Sequence, residues 1–159
     1  MLIEFLVAFL IAAICAVIHL TTLIRMLEWL LMKKATFDRS HGFRHVTPLL
    51  LFVFSVITVL HVLEACIWGA FYAFYKLFPD WETSIYFSLG SYTTIGYGDV
   101  VLPKNWRLLG GIEGITGVLL CGVSTAIIFA IVNVLFRIRV EQIYEGAPID
   151  TRKKNRSVN

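Results

Sequence analysis

Three long apolar runs decide what this chain can fold into. Residues 5–24, 48–75 and 108–136 carry almost no charge, and the second and third hold one acid each, Glu64 and Glu113. A helix rises 1.5 Å per residue, so about 20 apolar residues cross the ~30 Å hydrocarbon core of a bilayer. Composition agrees: 58% of the residues are hydrophobic and 16% charged, where a soluble domain carries about 25% charged residues. A soluble globule this apolar would have to expose large greasy patches. An all-α membrane protein with three transmembrane helices is predicted. The second run opens with Thr47 as a helix N-cap and Pro48 at the first helical position.

The basic residues set the orientation. Arg25, Lys33, Lys34, Arg39 and Arg44 flank or fill the connector 33–47, and Arg137, Arg139, Arg152, Lys153, Lys154 and Arg156 follow the third run. Only Lys76, Lys104 and Arg107 fall between the second and third runs. Lys and Arg accumulate on the cytoplasmic side, so the connector and the tail 137–159 are expected inside. Residues 76–108 and the N-terminus are then outside. Trp68, Tyr72, Tyr75, Trp81 and Trp106 would form an aromatic belt at the outer interface. The charge runs serve topology, with a lipid-binding role for the tail secondary. Residues 1–32 are read as a retained transmembrane helix, because Glu4 stands where a leader carries basic residues.

The segment between the second and third runs carries the chemistry. Pro79 and Asp80 can open a helix over 80–92, whose dipole favours acids at that end. About a dozen residues are too few to span, so this is a re-entrant half-helix, tolerated at membrane depth only where protein surrounds it. Thr93-Thr94-Ile95-Gly96-Tyr97-Gly98-Asp99 follows it. A dehydrated cation needs oxygens that replace its water shell, repeatedly and at close spacing. A backbone of alternating hand supplies them, with its carbonyls to one side, and Gly96 and Gly98 reach φ > 0 without steric cost. Thr94 adds a hydroxyl oxygen at the inner end. Ile95 and Tyr97 are expected to turn outward and pack against the half-helices.

Residues 93–99, set between two spans, resemble the selectivity filter of the potassium-channel pore family. The resemblance covers about residues 48–136: outer helix 48–75, pore helix 80–92, filter 93–99 and inner helix 108–136. Ile85-Tyr86-Phe87-Ser88 is similar to the pore helices of two-pore-domain channels. Those carry two filters per chain and this chain has one, so the resemblance implies a homotetramer around a shared pore. It also implies K+ coordination by Thr94, Ile95, Gly96, Tyr97 and Gly98, with Tyr86, Thr93 and Asp99 supporting the filter. Many two-span bacterial relatives place a Glu four residues before the filter threonine, paired with the Asp after the filter. Gly90 stands there instead, which leaves Tyr86 as the partner for Asp99. Gly117 falls at the family's hinge glycine, and Gly122 and Thr125 also match. Gly110, Gly111, Gly114, Gly117 and Gly122 equally suit close helix packing, so hinge and packing both stand open for Gly117. Cys121, Thr125 and Phe129 share a helix face that the resemblance turns toward the pore cavity, and Asn133 continues it near the inner mouth.

Ionisable groups at membrane depth are costly and are functional candidates by default. His61 and Glu64 stand three apart in the second run, and Glu113 lies in the upper part of the third. They are read first as a scaffold, bonded to the pore helix or to each other, and second as proton sensors. On the scaffold reading a glutamine at 64 keeps the hydrogen bonding. His19, near the inner end of the first run, is read as a packed or interfacial residue and not as a sensor. Cys15, Cys66 and Cys121 are read as small buried hydrophobes, since no C-x-x-C spacing or histidine cluster stands near them.

The expected function is passive potassium conduction through a tetrameric pore in a bacterial plasma membrane, leak-like or gated by pH, lipid or membrane tension. The alternative is a non-conducting regulatory or structural membrane subunit. An enzyme is not expected, nor a cofactor beyond the permeant K+. The expected partners are membrane lipid and copies of the same chain, not nucleic acid.

Overall fold

The computed structural model describes residues 2–34 and 46–145. Arg39, Arg44, His41 and His45 of the connector, and the basic residues from Arg152 onward, lie outside the described residues.

The order of elements is α1 (Leu2–Lys34), α2 (Val46–Phe74), α3 (Trp81–Tyr92), a 3-10 turn (Lys104–Trp106) and α4 (Arg107–Glu145). No strand occurs among the described residues. The stretches Leu2–Met32, Val46–Phe74 and Lys104–Val140 are long and apolar enough to cross a membrane. This is a multi-pass membrane protein of all-α class. At 12 residues, or about 18 Å, α3 cannot span.

Three helices run past the ends expected of them, α1 by two residues to Lys34. Val46 already begins α2, so Thr47 and Pro48 lie within its first turn and not at its edge. Proline is tolerated there because first-turn N–H groups have no intrahelical acceptor. At the other end α4 runs on to Glu145, past residue 136 and into the expected tail. Residues 137–145 are mostly good helix formers, and no breaker occurs before Gly146 and Pro148.

By its internal contacts the chain falls into two units, Met1–Ile128 and Phe129–Asn159. In the first, α1 buries Ala8, Ile11, Cys15, His19, Leu23 and Met26, a stripe at spacings of three and four that marks one helix face. Its apolar core joins Ala8, Ile11 and Cys15 of α1 to Ala65, Trp68 and Tyr72 of α2. The principal interface lies between α2 and α3. Ser84, Ser88 and Tyr92, four apart on α3, are all buried. At Gly69 a Cβ would lie 3.0 Å from Ile85 Cα, so the small residue admits the pore helix. The second unit, as far as Glu145, is the C-terminal part of α4, where Phe129, Phe136 and Tyr144 are exposed.

Local chemistry places α3. The end of α2 is closed by Lys76 at φ 53°, with Leu77 N–H donating to Tyr72 O and Lys76 N–H to Ala73 O, both at 3.0 Å. That pair of bonds is a Schellman closure, with lysine where glycine is usual. Asp80 then caps α3, accepting from the Thr83 N–H at 2.7 Å and the Thr83 hydroxyl at 3.0 Å. The Thr83 N–H holds the Asp80 carboxyl below its ordinary range. The cap is therefore present above the ordinary carboxylate pKa and is lost as pH falls through the lowered value.

Candidate functional site

The loop after α3 has a backbone of alternating sign. Thr94, Gly96 and Gly98 take φ of 61°, 51° and 79°, while Ile95 and Tyr97 between them do not enter the positive range. A left-handed conformation at a residue with a Cβ costs on the order of 1 kcal/mol, so Thr94 must be held. The Thr94 N–H donates to Ser91 O and the Gly96 N–H to Gly90 O, each at 3.0 Å. Gly90 thus supplies a main-chain acceptor where the resemblance would look for a carboxylate. The Thr93 hydroxyl donates to Leu89 O at 2.6 Å. Thr93 to Asp99 are exposed on the single chain, Ile95 by 57% and Tyr97 by 72%. Within one chain these two side chains do not bury against the half-helix.

Tyr86 and Asp99 meet. The phenol donates to Asp99 Oδ2 at 2.7 Å, and Asp99 Oδ1 accepts from the Val100 N–H at 3.0 Å. The bond to Asp99 raises the Tyr86 pKa above its ordinary value. A raised folded pKa means that this contribution is complete below pH ~10 and is lost as pH rises through the higher value. Tyr86→Phe removes the bond at every pH. The variant is expected to lose ion flux several-fold faster during sustained conduction, and an unchanged time course would show that the contact does not support the filter.

The intramembrane polar residues separate into two clusters. Glu113, fully buried, accepts at Oε2 from the Tyr72 hydroxyl (2.7 Å) and at Oε1 from the Ser88 hydroxyl. Ser88 Oγ also lies 2.6 Å from Ala65 O. This cluster ties α4 to α2 and α3. The second cluster is built on Glu64, also fully buried. Its Oε1 accepts from His19 Nδ1 at 2.8 Å and its Oε2 from the Tyr92 hydroxyl at 2.5 Å. His61 Nδ1 stands 2.9 Å from Tyr92 Oη and 3.4 Å from Glu64 Oε2. Ser124 Oγ reaches both imidazoles. Three helices therefore meet at one carboxylate, and α4 joins them through the two imidazoles.

His19, Tyr92 and Ser124 were not legible as members of this cluster, nor were Tyr72 and Ser88 as partners of Glu113. The one local signal was that His19 falls on the stripe of Ala8, Ile11, Cys15 and Leu23, which points into the protein. The geometry also corrects the expected effect of glutamine at 64. Both carboxylate oxygens accept from donors, and an amide has only one oxygen. Glu64→Gln is expected to lower stability by about 1–3 kcal/mol, with Glu64→Leu lowering it further. Thermal unfolding checks the order, and a Gln variant with the wild-type midpoint would contradict it.

Along α4, Leu109, Glu113, Thr116, Leu120 and Ser124 are buried. Cys121, Gly122 and Thr125 are exposed, which corrects the reading of Cys121 as a buried hydrophobe. The cause is its place one residue beyond buried Leu120, on the face shared with Thr125 that the single chain leaves uncovered. Gly117 is pressed against the end of α3, where a Cβ would lie 2.0 Å from Tyr92 O. Phe129 and Asn133 are exposed on the C-terminal unit.

A family model for ion channels matches residues 60–133. The match runs from His61 and Glu64 through α3 and the 93–99 loop to Asn133. This segment is similar to ion channels, which favours ion transport over catalysis. Neither curated proteins nor solved structures gave a match to the chain.

Proposed function

We propose that this chain is one subunit of a potassium-selective channel, four copies of which enclose a pore lined by Thr94, Ile95, Gly96, Tyr97 and Gly98. The observation that carries the reading is the alternation of φ through these five residues. Alternating hand is what a strand needs to turn successive carbonyls toward one axis, and rings of carbonyls replace the hydration shell of K+. Tyr86, Thr93 and Asp99 hold the strand from behind.

The exposed state of the loop supports assembly. Irregular backbone at membrane depth is tolerated only where protein or a water-filled cavity surrounds it, so further subunits must cover it. A shallow cleft of ≈ 480 Å³, with Gly90, Thr94 and Gly96 on one side and Gly110, Gly114 and Val118 on the other, leaves room for a neighbour. The charge distribution favours an external N-terminus and a cytoplasmic tail, and the membrane is read as a bacterial plasma membrane. Regularly spaced arginines are missing from the sequence, so conduction is leak-like or gated by pH, lipid or tension.

Flux from purified protein in liposomes tests the reading. K+ and Rb+ are expected to pass, with Na+ slower by at least about tenfold, a barrier difference of ~1.4 kcal/mol. Equal Na+ and K+ permeability would end the potassium reading. A fully assembled particle without flux would favour the non-conducting subunit. Native mass measurement is expected to give a tetramer, and a monomer or dimer that still conducts would contradict the shared pore.

A further inference from the structure

The Glu64 cluster is ordered so that two nitrogen lone pairs face one point. A carboxylate only accepts, so the 2.8 Å contact to Glu64 Oε1 puts the ring proton of His19 on Nδ1. The Tyr92 proton is committed to Glu64 Oε2. Tyr92 Oη must therefore accept from His61 Nδ1 at 2.9 Å, and His61 too is protonated on Nδ1. Both Nε2 atoms are then bare, and they converge on Ser124 Oγ, 3.0 Å from His19 and 3.2 Å from His61. One hydroxyl proton satisfies one of them. Given to His19, it leaves His61 Nε2 only the weak S–H donor of Cys121, whose Sγ lies 3.8 Å away on the exposed edge of α4, and a metal ion would take the place of both protons.

We propose that His19 Nε2, His61 Nε2 and Cys121 Sγ form a binding site for a borderline-soft divalent transition metal of the Zn2+ type. Bonds of ~2.1 Å to nitrogen and ~2.3 Å to sulfur in a tetrahedron place N and S about 3.6 Å apart, so the contact in place needs little adjustment. The outer arrangement is already built. Histidines that bind metal almost always donate their other N–H to a carboxylate or another acceptor, which fixes tautomer and ring orientation. Glu64 and Tyr92 do this for both rings. The ligand atoms of His19, His61 and Glu64 fall within 4.8 Å of one another, and Cys121 joins this group through its 3.8 Å contact to His61. With both oxygens of Glu64 already accepting, its role is to position the rings. Ser124 yields its place between the rings by turning to the carbonyl four residues back, as Thr116 and Thr125 do in the same helix at 2.8 Å. A water or the Ser124 oxygen completes the coordination. Two imidazoles and a thiolate suit Zn2+, Co2+ or Cu2+ and do not suit K+ or Mg2+, which prefer oxygen. The ion would join α1, α2 and α4 behind Tyr92, one residue before the 93–99 loop.

The test reads binding and not flux, so it is independent of the channel reading. Full-length protein in detergent, stripped with a chelator, is titrated with Co2+ as a spectroscopic reporter and then with Zn2+. One Co2+ per chain is expected, with visible bands of tetrahedral intensity and a near-ultraviolet thiolate-to-cobalt band. Zn2+ displaces it and raises Tm by ~3 °C or more. Cys121→Ser, at an exposed position, removes the thiolate band and weakens binding at least tenfold. His19→Gln abolishes binding, and Glu64→Gln weakens it by about 10–100-fold. Absence of saturable binding to the wild-type protein would overturn the site, as would a cobalt spectrum unaltered by Cys121→Ser. Stability that rises on acidification without any response to Zn2+ would assign the place between the rings to a proton, and would overturn the metal site equally.

Discussion

Gly117→Ala is expected to yield protein that does not assemble and carries no measurable flux. The added Cβ would stand 2.0 Å from Tyr92 O, 3.0 Å from Tyr92 C and 3.2 Å from Tyr92 Cδ1. The two nearest obstructing atoms belong to backbone, so no rotamer change relieves them. The end of α3 would have to move by about an ångström, and ordinary core overpacking already costs ~1–3 kcal/mol. Tyr92 also carries the hydroxyl that bonds Glu64 and His61, and Thr93 follows it directly. Displacement there reaches the Glu64 cluster and the start of the 93–99 loop together. Two neighbours calibrate the result. At Gly114 a Cβ would meet Ser91 O at 3.1 Å, and at Gly122 nothing lies within 4 Å. Damage to assembly, followed by size exclusion and thermal unfolding, should rank Gly117→Ala far above Gly114→Ala, with Gly122→Ala close to wild type. A Gly117→Ala protein of wild-type stability but altered opening would favour the hinge reading and contradict the close approach.

The same region shows what a sequence of this kind discloses and what it withholds. The three spans are legible because the bilayer imposes a length and a polarity that can be counted along the chain. Gly96 and Gly98 invite the expectation of positive φ, and both have it. Thr94 does not, because threonine has no local preference for that region; its conformation belongs to the bonds that its own and the Gly96 N–H donate to Ser91 O and Gly90 O. His61, Glu64 and Glu113 stand out because charge at depth is costly, but their partners could not be read. Glu64 meets residues 45 positions before it and 28 after it, and Ser124 lies 63 residues beyond His61. Periodicity places each side chain on a helix face; it does not say which faces meet. For that reason His61, Glu64 and Glu113 read as one group of candidates, whereas the fold divides them between two separate clusters. Cys121 illustrates the converse. Its apolar neighbours along the chain suggested burial, and the helix turned it to the exposed side.

Gly96→Ala is expected to abolish selective K+ flux while leaving the three spans in place. The residue sits at φ 51°, and nothing lies within 4 Å of the Cβ that alanine would add. The penalty is therefore set by the chain's own backbone, about 1–2 kcal/mol. One subunit tolerates that against a folding free energy of ~5–15 kcal/mol. In the proposed ring of four the same term recurs in every copy, to ~4–8 kcal/mol, on a strand where Thr94 already holds a left-handed conformation. The strand is expected to leave its alternating form before the helices unfold. Thermal midpoint and particle size should stay close to wild type, while the tenfold or greater preference for K+ over Na+ disappears, with or without residual current. D-alanine at position 96, introduced by peptide ligation, separates backbone hand from side-chain bulk. It carries the same methyl group but prefers positive φ, and it is expected to retain selective flux. Should the L-alanine protein keep wild-type selectivity, the left-handed conformation at Gly96 would have no part in ion coordination, and the assignment of Thr94 to Gly98 as the selectivity filter would fall with it.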